Sequence, residues 1–331
     1  MKRFVKTTEM TLLVICGVFF VGLVIASGGD LLTANSLRVL LQFLAVPVLI
    51  GLAQMVVLAV GQLNLAVGAI GGFAAVAMGV LMADHGVPAP LALLSGFLLA
   101  SAAGAANGLL VVLTRINGFI VTLATMTVLL GVQYRLVGTR TVDAYPAALK
   151  TFGSYALFGV LPLIFLVALA VAGLLAVMLR RTVPGRQLLA SGGNPVAAKL
   201  SGISTDRSVI IAHTTSGAIL GVAAILTVAS SPGVNKSIGG DWLLPSFAAP
   251  IIGGALLTGG SAVVLGTVLA AFVVRFVDTA RAEFSLEPSW VNFVVGAVVL
   301  GSVVLGQVRT RRQQRRTVVK SPDAVVAGGV S

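Results

Sequence analysis

Apolar residues along this chain follow neither the helical nor the strand period of a soluble domain. They come in unbroken runs separated by short polar or Gly/Pro-rich breaks. The runs occupy 10–27, 38–60, 65–83, 90–113, 118–138, 158–180 and 208–230. A short pair follows at 246–258 and 262–280, and a last run at 290–308. A helix that crosses a bilayer needs roughly 20 predominantly apolar residues. The pattern therefore predicts an all-α, polytopic transmembrane helical bundle of about ten spans, with 246–258 short enough to be re-entrant. On this reading residues 1–308 form one transmembrane domain, and 309–331 form a basic tail without order in the cytoplasm.

Composition agrees. Hydrophobic residues make up 57% of the 331, charged residues 10%, and mean hydropathy is +1.06. A soluble domain carries about 25% charged residues, so this chain lacks the polar surface to face water all round. The formal net charge of +12 would suit nucleic acid, but its distribution does not. Lys2, Arg3 and Lys6 precede the first run, and Arg309, Arg311, Arg312, Arg315, Arg316 and Lys320 follow the last. Arg180, Arg181, Arg186, Lys199 and Arg207 surround one central loop. Basic clusters beside apolar spans are the positive-inside signal. They place both termini and loop 181–207 in the cytoplasm, as an even number of spans requires, and argue for a lipid bilayer and no nucleic acid. Segments 139–157 and 231–245, assigned outside, hold only Arg140, Lys150 and Lys236 as basic residues. The first run has the layout of a signal peptide, but with many spans behind it an uncleaved first helix is expected.

Candidate chemistry is sparse. Cys16 is the single cysteine, which rules out an intramolecular disulfide and a cysteine-rich metal site. His85 and His213 are far apart and have no partner at metal-ligand spacing, so no metal is expected. No phosphate-binding G-x-x-x-x-G-K-[ST] loop occurs. Ser191 and Ser261 stand beside glycine pairs without a plausible His/acid partner, so no catalytic residue and no cofactor of this chain's own are expected. Asp and Glu total ten and few fall within a run, which argues against a proton relay.

Three segments stand out. In Gly61-Gln-Leu-Asn-Leu-Ala-Val-Gly68, two glycines bracket two amides in apolar sequence: a broken helix lining a cavity, or an ordinary turn. In 186–203, local chemistry specifies a short helix at 195–201: Asn194 suits the N-cap, Pro195 the first helical position, and Gly202 the left-handed position past the end. With Val196 and Leu200 at i and i+4, and Ala197 and Ala198 keeping part of the surface small, it has the look of a docking knob. An interfacial helix lying on lipid is the plainer reading. The third segment, 250–261 continuing to Gly266 and Thr267, carries paired glycines that imply close backbone contact or a tight turn. Gly68/Gly72 and Gly104/Gly108 have the G-x-x-x-G spacing of close helix packing. Asn64, Asn107, Thr122, Thr125 and Gln133 are polar positions within or beside apolar runs. They are candidates for lining a hydrated passage, or for interhelical hydrogen bonds.

These segments resemble, in order over about residues 45–305, the permease subunits of bacterial ABC importers for ribose and other simple sugars. Ala190, Gly192, Asn194, Ala197, Ala198, Gly202 and Ile203 match the family's A-x-G-x-N-x-x-A-A-x-x-x-G-I motif. GQLNLAVG is similar to its G-G-x-D-L-S-x-G signature, 251–267 to its late Gly-rich hairpin, and 117–123 to its P/A-x-F-I-x-T-L stretch. Gln62, Asn64 and Ala66 depart from the signature, and Arg275, Asp278 and Arg281 stand where the family is usually neutral. The resemblance implies the ABC importer permease fold and a pathway formed with a second permease chain. It also implies cytoplasmic ABC ATPase subunits that bind the ATP and an extracytoplasmic solute-binding protein. Gly192, Asn194, Pro195, Ala197, Ala198 and Gly202 would then belong to the coupling helix seated on the ATPase. The implied solute is a monosaccharide such as ribose, xylose or a galactose-like sugar. A nucleoside or other non-sugar solute is the alternative within this class, and a stand-alone secondary transporter or channel the alternative outside it.

Overall fold

The computed structural model describes residues 2–143 and 145–284, together with 287, 293, 296 and 297; for 2–8 only the backbone is considered. Twelve α-helices lie among the described residues: α1 Lys2–Ala26, α2 Ala34–Ala59, α3 Val67–Ala83, α4 Ala89–Thr114, α5 Gly118–Val137, α6 Ala147–Ser154, α7 Leu163–Arg181, α8 Val183–Gly193, α9 Pro195–Leu200, α10 Thr205–Ser230, α11 Leu243–Ile252 and α12 Val264–Glu283. Two two-residue strands, β1 Ala156–Leu157 and β2 Leu161–Pro162, pair antiparallel.

Six helices, α1, α2, α4, α5, α7 and α10, are long and apolar enough to cross a membrane, and α3 and α11 are shorter apolar helices. With α12 they account for the runs expected as far as 280. The run at 290–308 and the tail at 309–331 lie outside the described residues. The run at 158–180 becomes helical only at Leu163. Before it the chain turns through a tight hairpin with Phe158 and Gly159 at positive φ. Segment 139–157 is not a bare loop, since it holds α6.

The centre of the bundle is α2. Every residue from Val48 to Ala59 is buried, so this helix is apolar all round because it is covered all round. Its neighbours include α10, which crosses α4 backbone to backbone. A Cβ added at Gly104 would overlap the His213 carbonyl oxygen, one at Gly217 would overlap that of Ala100, and one at Gly108 would lie 2.8 Å from the Ile210 Cα. In lipid such contacts hold helices together by dispersion and dipole contact rather than by exclusion of water. The Gly104/Gly108 pair therefore packs as its spacing suggested. Gly68 and Gly72 differ, because their close neighbour is not a helix. The carbonyls of Gly239 and Ile238 occupy the space their side chains would need.

At the rim, α1 rests on α12. The Cys16 thiol donates to the Leu269 carbonyl at 3.3 Å, and the Phe20 and Phe276 rings lie 6.1 Å apart. Connectivity and contact fix the two ends of the bundle. The Ala59 end of α2 abuts Gly192, Gly118 abuts Gln62, and Arg115 pairs with Asp206 at 2.8 Å. The start of α1, the α4–α5 turn and residues 182–205 thus share one end, which carries the central basic cluster. At the other end Arg140 pairs with Asp84, and Val142 bridges to Val234.

Candidate functional site: the loop helices and the buried polar positions

At the basic end, side chains within three residues of each helix start fix the loop. Thr182 caps α8 by accepting from Gly185 N–H at 3.2 Å. Asn194, extended, caps α9 by accepting from Ala197 N–H at 3.0 Å, with Pro195 in the first turn. Gly202, at φ 78°, reverses the chain so that Ile203 N–H reaches the Ala198 carbonyl at 2.9 Å. Capping of this kind satisfies donors and acceptors a short helix cannot pair internally. The helix expected at 195–201 is thus present as α9.

Its exposed surface differs from the small face expected. Ala198 is turned into the chain and is 4% exposed, whereas Val196 is 69% and Leu200 86% exposed. Ala197 and Lys199 are exposed as well. What α9 offers a partner is an apolar i, i+4 pair beside an alanine, and Ala198 seats it on its own protein.

Gly192 is likewise an internal contact. A Cβ there would overlap the Ala59 carbonyl and lie 2.6 Å from Gly260 N, while Gly260 N–H donates to that same Ala59 carbonyl at 2.9 Å. Gly259 and Gly260, at φ 90° and 77°, and Gly61, at φ 73°, complete the contact, with Thr258 O 3.1 Å from where a Gly61 Cβ would stand. The three segments that stand out in sequence therefore meet main chain to main chain at one point. Ser191 pairs with Ser208 Oγ at 2.8 Å and so pins α8 to α10.

Four of the five polar positions hydrogen-bond within the bundle. Asn64 is fully buried; its Oδ1 accepts from Ala66 N–H at 2.9 Å and its Nδ2 donates to Ser216 Oγ at 3.4 Å. Gln54, with its amide turned to suit, donates to the Asn64 carbonyl at 2.9 Å and accepts from its N–H at 3.3 Å. Thr122 Oγ1 donates to Gly118 O at 2.7 Å and accepts from Leu65 N–H at 3.0 Å. Thr125 bonds back to Val121 O at 3.0 Å. Gln133 Nε2 donates to the carbonyls of Asn235, Lys236 and Ile238 at 3.4, 3.1 and 3.0 Å. Asn107, fully buried on α4, and His213, fully buried on α10, have no hydrogen-bond partner among the described residues. Hydrogen bonding within the bundle is thus what Asn64, Thr122 and Gln133 do. Each ties an irregular stretch, 62–66 or 235–238, to a helix, and an unpaired backbone at membrane depth would otherwise be costly. Among the described residues no group of three or more His, Cys, Asp or Glu could hold a metal.

Comparison with known proteins agrees with this architecture. Residues 35–303 match the family described as branched-chain amino acid transport system / permease component. The chain is 31% identical to the autoinducer 2 import system permease protein LsrC of Enterobacter sp. (strain 638), over 95% of this chain and 92% of that protein. It is 32% identical to the protein of the same name from Klebsiella pneumoniae subsp. pneumoniae, over 82% and 79%. A third, from Escherichia coli O9:H4 (strain HS), is 28% identical over 89% and 87%. No solved structure matches. Spans, loop motif and family match together make this chain a multi-pass membrane permease of the branched-chain amino acid transport system / permease component family, of the ribose-type ABC importer class that its motifs resemble.

Proposed function

We propose that this chain is the membrane-spanning subunit of an ABC importer that carries a small, sugar-like polar solute into the cytoplasm. Autoinducer 2, after whose import the relatives are named, joins the monosaccharides as a candidate solute. The basic end of the bundle faces the cytoplasm, two permease chains form the pathway, and separate ATPase subunits hydrolyse ATP. An extracytoplasmic binding protein delivers the solute.

The observation that carries this reading is α9. A capped six-residue helix projects Val196 and Leu200 from the basic end while Ala198 and the neighbouring Gly192 fasten it to the bundle. Two large apolar side chains held rigidly in the open suit a groove on a soluble partner, where buried anchors supply most of the binding energy. The test replaces Val196 and Leu200 together by Asp. The expected result is at least a tenfold loss of ATPase co-purification and of uptake, with membrane insertion and thermal stability unchanged. A helix that merely rested on lipid would leave the ATPase bound, and that outcome would refute the docking role.

A further inference from the structure

Residues 231–242 do not form an outer loop; they run down into the bundle beside α3. Asp84, just past the end of α3, pairs with Arg140, just past the end of α5, and this pair marks the rim. Below it Val234 lies against Gly79, Ile238 against Gly72, and Gly239 against Gly68. At 1.5 Å per helical residue these contacts stand about 8, 18 and 24 Å from Asp84. The hydrocarbon layer is about 30 Å thick, so the segment reaches the middle of the membrane before α11 begins at Leu243.

This stretch has two sides. Gly233, Val234, Gly239 and Trp242 are buried against the bundle, whereas Lys236, Ser237, Gly240 and Asp241 are exposed. Non-helical backbone is tolerated at membrane depth only where protein covers it or water fills the space beside it. An ammonium and a carboxylate turned to hydrocarbon at such depth are strongly disfavoured. We infer that 235–241 line the water-filled passage of the transporter, with Ser237 and Asp241 turned toward the solute. This deepens the importer reading and, for the solute, rests on it.

Tyr134 of α5 borders the same space, since the Lys236 Nζ stands 5.3 Å over its ring. The segment and Tyr134 together offer one cation, one anion, a hydroxyl and an aromatic face, and Asp278 of α12, paired with Arg275 at 3.7 Å, stands within electrostatic reach of Asp241. Such a wall suits a neutral, polyhydroxylated solute: the carboxylate accepts from hydroxyls, the ammonium donates to ring or hydroxyl oxygens, and no single sign of charge dominates. Gln133 holds the wall in place from behind through its three carbonyl contacts.

The test begins from a Cys16→Ala background, which removes the single native thiol. Ser237→Cys and Asp241→Cys are compared with Leu174→Cys, a lipid-side control in the middle of α7 that is 70% exposed. Intact cells are treated from outside with a membrane-impermeant cationic methanethiosulfonate. Modification of both passage cysteines at least tenfold faster than Leu174→Cys is expected. Rates equal to the control at both positions would overturn the lining, whatever the protein transports. A second measurement uses whichever solute the wild-type complex accumulates from a panel of autoinducer 2 and five- and six-carbon sugars. Asp241→Asn should raise the KM for uptake at least tenfold while ATPase co-purification is unchanged, with Asp241→Glu closer to wild type. An unchanged KM would remove Asp241 from the solute contact. Accumulation of none of the panel would count against the importer reading and leave the labelling result standing.

Discussion

The α8–α9 loop and the 231–242 segment both carry the chain through a glycine-rich stretch that does not span the membrane, but their backbones are satisfied in different ways. In the loop, Thr182, Asn194 and Ser204 each cap a helix from within three residues. In the segment, the carbonyls of 235, 236 and 238 are met by Gln133, more than 100 residues earlier, and Val234 is met by Val142. The loop's helix starts carry their own caps, and Gly192 and Ser191 fasten it to the bundle. The segment has local turns too, with Asn235 Oδ1 accepting from Ser237 N–H, but its carbonyls at 235, 236 and 238 depend on α5. A transporter needs both kinds of part: a lever that stays rigid while it is pushed, and a lining whose form depends on how its helices stand.

The sharpest way to break this contrast is at Gly192, where the loop meets the bundle. Gly192→Ala places a methyl group on the Ala59 carbonyl. Overpacking costs about 1–3 kcal/mol and occasionally more, so the variant should lose most uptake and melt at a lower temperature in detergent. Its neighbour provides the control: a Cβ at Gly193 meets only the Gly260 Cα, at 3.7 Å, and Gly193→Ala should behave as wild type. Equal behaviour of the two would remove the tight joint from the account.

Next comes the side that depends on α5. Gln133→Leu takes the donor from three part-buried carbonyls, a loss of about 1 kcal/mol or more. Because Asn235, accepting from Ser237 N–H, is a single local cap while Gln133 meets three carbonyls, proteolysis or hydrogen exchange at 233–242 should increase there and not in the loop. A uniform increase across the chain would contradict the division. The loop side should respond more mildly: Asn194→Ala removes one cap, worth about 1 kcal/mol, and should weaken ATPase co-purification several-fold with no change at 233–242.

The smallest effect is expected at the Arg115–Asp206 pair, which joins the end of α4 to the start of α10 at the basic end. Both partners are open to solvent, so the melting temperature of Asp206→Asn near neutral pH should lie close to wild type. A large drop there would show that the loop is anchored from α4 rather than from α2.

How much of this was visible in the residues follows the same division. Spans were legible because apolar length alone reports them, and α9 because Asn194, Pro195 and Gly202 act within a few residues of one another. Gly104 and Gly108 were legible as a close helix crossing. Gly68 and Gly72 have the same spacing, but spacing says only that something approaches, and here it is the turn at 238–239. Segment 231–245 reads as external because it is a polar break between apolar runs with Lys236 as its single basic residue. Polarity marks contact with water and does not say whether that water lies outside the membrane or within it. Gln133 could not be assigned its role because its partners are distant in sequence and are main-chain atoms, which every residue has. The inward turn of Ala198 was hidden for a related reason: which alanine of a pair faces the bundle depends on how α8 is seated.

The seat of α1 on α12 has a consequence for biogenesis. Cys16 and its acceptor Leu269 are 253 residues apart, and ribosomes add about 5–20 residues per second. The first helix therefore enters the bilayer roughly 13–50 seconds before the helix that receives it has been made. During that wait the residues of its apolar cluster beyond the helix itself that already exist are Leu31 and Leu40, which follow it directly in the chain. Its outward surface of Leu13, Val14, Val18, Val21 and Ile25 remains exposed even in the finished bundle, so waiting in lipid leaves most of this helix in the surroundings it will keep.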